Sequence, residues 1–431
     1  MHYLRINGGK KLSGSVKISG AKNAALPLIA LSILSKNEVV IKNLPAVSDI
    51  HTLIQLLSNL GAKCEFLDAN TAKIDPREIN STKAIYDIVR KMRASILVLG
   101  PLLARFRHCE VSLPGGCAIG ARPIDLHLSA LEKMGAEVKI EQGYVVCTAK
   151  KGLKGATINF DKITVTGTEN IVMAAALASG TTHIINAAKE PEVIAVCNAL
   201  KSAGIDIEGI GTNEILIKGS GSELLGLDEI SIIPDRIEAG TFIAMAGICG
   251  GPVTVKGFDP AHLGLVLKKY ELMGLDVERG RHECTVSRQA PIRSIDIQTL
   301  PFPGFPTDLQ AQTMCLLAQG SDSCIVTENV FENRFMFASE LQRMGADITI
   351  EGHHAIVRGV ERFSGAEVKS PDLRGGAALV MAGLVADGYT TVSDVHHIDR
   401  GYECFVEKLQ ALGAEVRRME VPDLEDGGEV G

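Results

Sequence analysis

The sequence predicts an α/β protein of two pseudosymmetric inside-out domains, each built from three repeated units with apolar helices in the core and sheets outside. Three observations carry this expectation. A glycine at the end of a helical pattern recurs six times, at Gly61, Gly135, Gly204, Gly274, Gly345 and Gly413, at intervals of about 70 residues that span nearly the whole chain. A strand pattern follows each glycine at once. Six further helical stretches, one per unit, are apolar on nearly every face, which places them inside a domain rather than on its surface.

The glycines close the amphipathic segments LLSNLG, LEKMG, LKSAG, YELMG, LQRMG and LQALG, where a residue tolerant of left-handed backbone angles makes a good helix cap. After Gly135, AEVKIEQGYVVCTA alternates and turns at Gln142-Gly143, and after Gly345, ADITIEGHHAIVRG does the same around Gly352; both read as hairpins. The apolar helices are KNAALPLIALSIL, RASILVLGPLLARF, ENIVMAAALASG, IEAGTFIAMAGICG, DLQAQTMCLLAQG and LRGGAALVMAGLVADG. Stacked singly, such units would make a solenoid, but they are long for one and no capping unit is visible. Two globes of three units suit the length better. The first domain is expected at 22–233 and the second at 1–21 with 234–420, the change falling near Ile232-Ile233-Pro234-Asp235; the acidic 421–431 reads as a disordered tail.

Composition narrows the function. Aromatics are only 4%, Trp is absent and the formal charge is −7, which argues against a nucleic-acid partner that needs stacking platforms or a basic surface. No run resembles a signal peptide or a membrane span, so a cytoplasmic location with no membrane partner is expected. The ten cysteines never form CxxC pairs, and His353-His354 and His396-His397 are adjacent pairs that cannot share one face of a strand, so no metal site is expected.

Scaffold positions recur in every copy, whereas chemical positions do not. The openings of the apolar helices carry Lys22-Asn23, Arg93, Glu169-Asn170, Arg236, Asp308 and Arg374, an excess of cations in an acidic chain. Helix N-termini aimed into one cleft, reinforced by these cations, would hold phosphate and carboxylate groups. One loop stands apart: PGGCAIGARP at 114–123 places Cys117 beside two glycines and close to Arg122. A thiol near cations ionises more readily than one in a core, so Cys117 is a candidate nucleophile or proton donor. The other cysteines fall largely in strand or helix patterns and read as packing residues.

With these residues in view, the chain resembles the enolpyruvyl transferase family over nearly its full length. The motifs are SGAKNAALP (19–27), MRAS (92–95), PGGCAIGARPIDLH (114–127), PDRIEAGTF (234–242), FPTD (305–308), ENRF (332–335), DLR (372–374) and HIDRGYE (397–403). The resemblance implies transfer of the carboxyvinyl group of phosphoenolpyruvate to the 3-hydroxyl of UDP-N-acetylglucosamine, with release of phosphate, as the first committed step of peptidoglycan synthesis. It implies no metal and no cofactor. By the same resemblance, Lys22, Arg122 and Arg400 would engage the phosphate of phosphoenolpyruvate, Arg334 and Arg374 its carboxylate, and Asn23 and Asp308 the reacting sugar hydroxyl. Asp308 would accept the hydroxyl proton and Cys117 would donate one to the methylene carbon. Arg93, Arg122, Pro123, Ile124, Asp125, Leu126, His127, Lys162, Ile163, Thr164, Val165 and Val330 would contact the uridine, diphosphate and sugar. The segment 162–165 departs somewhat from the family's common form, and Gly375-Gly376 after Arg374 replaces a more usual Ala-Ser, a change expected to loosen that helix start by about 1 kcal/mol.

Two other readings remain beside this one. The sister enzyme acting on 3-phosphoshikimate would share the six-unit architecture, and the loop around Cys117 argues against it. A non-catalytic repeat or RNA-binding protein is disfavoured by acidic charge and few aromatics.

Overall fold

Among the described residues, six four-stranded sheets repeat one pattern, in which an outer strand pairs in parallel with its neighbour and a second and third pairing are antiparallel. The computed structural model describes residues 2–114 and 123–420; Cys117, Arg122 and the segment 421–431 lie outside the described residues. All six glycines close their helices at positive φ, between 94° and 108°, where an L side chain would be strained. The hairpins at Gln142-Gly143 and at Gly352 form as the alternation predicts, pairing Glu137–Glu141 with Tyr144–Thr148 and Asp347–Glu351 with His354–Arg358.

The architecture is a two-domain α/β fold with two separate apolar cores. One core joins residues between Ala21 and Ile232, the other residues between Leu4 and Ile18 and between Ile237 and Val416. The N-terminus completes the second set: Gly14–Lys17 pairs in parallel with Val253–Lys256, and His2–Asn7 lies between Tyr389–Ser393 and Glu415–Glu420. The chain crosses between the cores twice, at Ser19–Ala21 and Ile233–Asp235. These crossings run side by side, with the Ala21 amide donating to the Ile233 carbonyl at 2.7 Å and the Asp235 amide to the Ser19 carbonyl at 2.9 Å.

The core helices are Lys22–Leu31, Leu99–Phe106, Val165–Ala176, Arg236–Cys249, Gln310–Leu317 and Leu373–Val385, and nearly every residue in them is buried. Arg93 and Asp308 open short 3₁₀ turns, Arg93–Val98 and Thr307–Leu309, that lead into the second and fifth of these helices. One expected opening is corrected. Glu169 and Asn170 lie a turn inside the third helix, because Thr164 is the cap and its hydroxyl accepts from the Gly167 amide at 3.1 Å. Asn170 instead ties helices together, donating to the Ile96 carbonyl at 2.9 Å and accepting from the Gly100 amide at 2.8 Å. Gly100 permits that approach, since a Cβ there would sit 2.4 Å from the Asn170 carbonyl oxygen. Among the described residues no helix is long and apolar enough to cross a membrane.

Candidate active site

Lys22 and Asn23 are the first two residues of the first core helix, just after the chain has crossed between the cores. From that position each reaches a different carboxylate. Lys22 Nζ donates to Asp49 Oδ2 at 3.1 Å, and Asn23 Nδ2 donates to Asp308 Oδ2 at 3.3 Å, across to the other core. Asp49 stands in the first turn of the helix Ser48–Asn59 and receives Arg400 as well, Nε to Oδ1 at 3.0 Å and Nη2 to Oδ2 at 3.3 Å. Asp308 is held by Arg334 Nη2 at 2.8 Å and by Arg374 Nη2 at 3.5 Å. The contacts form two groups, Lys22 and Arg400 around Asp49 and Asn23, Arg334 and Arg374 around Asp308, which adjoin through the neighbouring residues Lys22 and Asn23.

The field within this cluster is strong. Burial raises the Asp308 carboxyl, but Arg334 and Arg374 outweigh it and hold the group well below the usual carboxylate range. Burial likewise disfavours the Asp49 anion, yet Lys22 and Arg400 bring its pKa below the ordinary value. Lys22 is lowered, by burial first and then by Arg374 and Arg400, with Asp49 opposing. Arg374 lies over the Tyr402 ring, 5.2 Å from its centroid, and its buried Nη1 has no hydrogen-bond partner among the described residues. Arg334 is fixed by Thr307 Oγ1 at 2.9 Å.

Asp49 was not singled out by sequence reasoning. An acidic residue after Ser48 at a helix start reads as a cap or a dipole partner, and only the convergence of Lys22 and Arg400 reveals it as a counter-ion. Arg236, expected as a cleft cation, is instead spent on Glu192, with Nε to Oε1 at 3.0 Å, and covers the Phe302 ring. Beside Arg374, the two glycines sit in a capped and closely packed helix start. Asp372 caps that helix, accepting from the Arg374 and Gly375 amides at 2.9 Å each. A Cβ on Gly376 would lie 2.2 Å from Ser370 Oγ, and one on Gly375 would lie 2.9 Å from Phe337 Cβ, so the glycines allow close packing.

The remaining candidates lie outside this cluster of contacts, Val330 on the second core's side and the others on the first. His127 is buried, with Nδ1 3.0 Å from Asn170 Nδ2 and Nε2 3.4 Å from Thr166 Oγ1; burial, then Arg93, lowers it to about 4, so the ring is neutral. Ile124 is buried beside it, whereas Pro123, Asp125, Lys162, Ile163 and Val330 are exposed and Leu126, Thr164 and Val165 half-buried. The Val330 amide donates to Glu328 Oε2 at 2.9 Å. The nine described cysteines are all free thiols, and most are buried with raised pKa values; Cys404 is exposed. Among the described residues no group of three or more His, Cys, Asp or Glu is placed to hold a metal ion. His396 and His397 occupy a helical turn rather than a strand, with rings 4.1 Å apart.

Four cations gathered on two carboxylates where two such cores meet mark out a candidate site, and the sequence places the chain in a family. It matches the model for EPSP synthase (3-phosphoshikimate 1-carboxyvinyltransferase) over residues 6–409 and belongs to that family of enolpyruvyl transferases. Within the family it is 62% identical to the UDP-N-acetylglucosamine 1-carboxyvinyltransferase of Campylobacter fetus subsp. fetus (strain 82-40), over 97% of this chain and 100% of that one. The protein of the same name from Sulfurimonas denitrificans is 56% identical over 97% of this chain and its own whole length. Of solved structures, the enolpyruvyl transferase NikO from Streptomyces tendae superimposes with a TM-score of 0.88 at 26% identity, covering 98% of this chain and 99% of that one. EPSP synthase from Acinetobacter baumannii, with a TM-score of 0.73 at 19% identity over 97% of this chain and 100% of that one, is a likeness of fold alone.

Proposed function

We propose that this chain moves the carboxyvinyl group of phosphoenolpyruvate onto the 3-hydroxyl of UDP-N-acetylglucosamine, by addition and then elimination, as the first committed step of peptidoglycan synthesis. The observation that carries the reading is the cluster of Lys22, Arg334, Arg374 and Arg400 around two carboxylates, a cationic site suited to a small dianion with a phosphate and a carboxylate. The free Nη1 of Arg374 is a ready donor for the carboxylate. Lys22 and Arg400, with Arg122 from the loop, would take the phosphate. The cytoplasm is the proposed compartment, and unpaired thiols suit it.

Asp308 is then the proton acceptor, and its environment explains when it can act. The Arg334 and Arg374 guanidiniums hold it as a very weak base. A bound carboxylate on Arg334 and Arg374 offsets their field, so the proton affinity of Asp308 rises as phosphoenolpyruvate binds. In the addition step the sugar oxygen bonds to C2 of phosphoenolpyruvate and gives its proton to Asp308, while Cys117 gives a proton to the methylene carbon. The tetrahedral ketal then loses a proton from that carbon and phosphate from C2, restoring the double bond. The fixed cations stabilise the charge as it develops.

Phosphate release measured with phosphoenolpyruvate and either UDP-N-acetylglucosamine or 3-phosphoshikimate tests the assignment; release with the second acceptor alone overturns it. We further propose that residues 22–233 and residues 1–21 with 234–420 close on the nucleotide sugar, because the candidate ligands come from both cores. Small-angle scattering should show a smaller radius of gyration at saturating UDP-N-acetylglucosamine, and an unchanged radius would count against closure.

A further inference from the structure

Segment 400–403, on the second core, lies against segment 44–49, on the first, and the two are fastened at both ends. At one end the Arg400 guanidinium grips Asp49. Three residues on, Glu403 Oε1 accepts from the Ala46 amide at 2.8 Å and from Asn70 Nδ2 at 2.6 Å, while its Oε2 accepts from the Ser19 hydroxyl. Asn70 also donates to the Leu44 carbonyl at 2.7 Å and its own carbonyl accepts from the Leu44 amide at 2.8 Å. The loop that leads into Asp49 is therefore fixed by the same side chain that fixes the turn behind Arg400. Ser19 belongs to the crossing strand and is itself held, its hydroxyl accepting from Lys408 Nζ at 2.7 Å and its amide donating to Glu238 Oε2 at 2.8 Å.

We propose that Glu403 is a positioning residue for the anion site, setting the separation of Arg400 and Lys22 by locking the 400–403 turn onto the loop that carries Asp49. The inference rests on the reading that Lys22 and Arg400 hold the phosphate of phosphoenolpyruvate. A phosphate that takes Arg400 competes directly with Asp49 for the same guanidinium, so one of the two fastenings weakens as the substrate binds. Glu403 is the fastening that remains. Its three bonds reach three separate segments and have a charged acceptor, which makes them stronger than neutral ones. Without it, phosphate binding would free the turn whose position the phosphate needs, and affinity would fall. The nucleotide sugar makes no use of this turn in the assignment above, so its affinity should be spared.

Steady-state kinetics of the full-length chain carrying Glu403→Ala, Glu403→Gln, Asn70→Ala or Arg400→Ala, each with its thermal midpoint, test this. Glu403→Ala should raise KM for phosphoenolpyruvate about tenfold and leave kcat and the KM for UDP-N-acetylglucosamine within about twofold. Glu403→Gln should recover much of the loss, because its carbonyl oxygen still accepts from Ala46 and Asn70. Asn70→Ala removes one of the three donors to Glu403, together with the bond to the Leu44 carbonyl, and should raise the same KM about threefold, which keeps the inference testable if Glu403→Ala does not fold. An unchanged KM for phosphoenolpyruvate in the folded variants, with Arg400→Ala strongly impaired, overturns the positioning role and leaves the anion-site reading intact. Parallel losses in both KM values and kcat also overturn it. If Arg400→Ala itself leaves that KM unchanged, both readings fall.

Discussion

Asp308 and Asp49 sit in matching company and have different prospects. Each is a carboxylate gripped by two cations, each links one core to the other, and each has its pKa pulled below the usual range against the effect of burial. They differ in access. The Asp308 side chain keeps 24% of its surface open, at a 3₁₀ turn, and also faces Asn23, whereas Asp49 keeps 5% inside a helix start. A group that exchanges a proton with substrate must be reachable, while a counter-ion need not be. Cationic neighbours alone do not mark a base; they mark a stored charge, and access decides whether that charge can meet a reaction.

The comparison breaks most visibly at Asp308. Asp308→Asn keeps the shape and the contact with Asn23 but has no carboxylate to accept the hydroxyl proton. Turnover should fall by about a thousandfold or more, while affinity for UDP-N-acetylglucosamine stays within about tenfold. Near-normal turnover in this variant would require a different base.

At Asp49 the expected loss is in stability. Asp49→Asn leaves the buried Lys22 ammonium and Arg400 without their shared anion, and breaking one partner out of such a buried set should cost about 3 kcal/mol in denaturant unfolding. Inorganic phosphate should restore part of it, by supplying a negative charge to the same cations. An unfolding midpoint unmoved by the substitution, with or without phosphate, would mean that Asp49 is not the counter-ion of the site.

The scaffold was far more legible in the sequence than this electrostatic pairing. Gly61 and its five counterparts mark helix ends because left-handed backbone is a local demand, and the all-apolar helices mark the cores because burial on every face leaves no other composition. Lys22, Asn23, Asp308, Arg334, Arg374 and Arg400 were legible through motifs, and the fold brings them together. Asp49 was not, because the need for an anion there arises from Lys22 and Arg400 together, which lie 27 and 351 positions away along the chain. Arg236 shows the converse: at a helix opening it reads as a cleft cation, and only the fold discloses that Glu192 has neutralised it. The misplaced start at Glu169-Asn170 has a local cause, since Thr164 offers a better cap a turn earlier. The glycines after Arg374 were read by helix propensity, whereas the neighbouring Ser370 and Phe337 decide what they are for.

A third carboxylate sharpens the contrast, because Glu169 is buried without a cation of its own. Burial first, and then the neighbouring Glu192 and Glu190, push its pKa well above the ordinary 4.5, and its Oε1 has no hydrogen-bond partner among the described residues. Arg236, the nearby cation, is already paired with Glu192, and Cys197, on the adjoining helix, brings no positive charge. The sign of the consequence is opposite to that at Asp308. Below the unfolded value Glu169 is protonated in both states and costs nothing; as pH rises further the unfolded chain ionises while the folded one keeps its proton. Stability is therefore lost with rising pH, by up to about 1.4 kcal/mol per pH unit, until the folded group ionises too. Glu169→Gln removes this titration and keeps the shape, with Glu190 and Glu192 nearby to accept from the new amide. Denaturant unfolding of both forms from pH 5 to pH 8 should show the variant gaining on the parent steadily as pH rises. Parallel stability curves across that range would mean that Glu169 is ionised in the folded protein, and that some cation serves it after all.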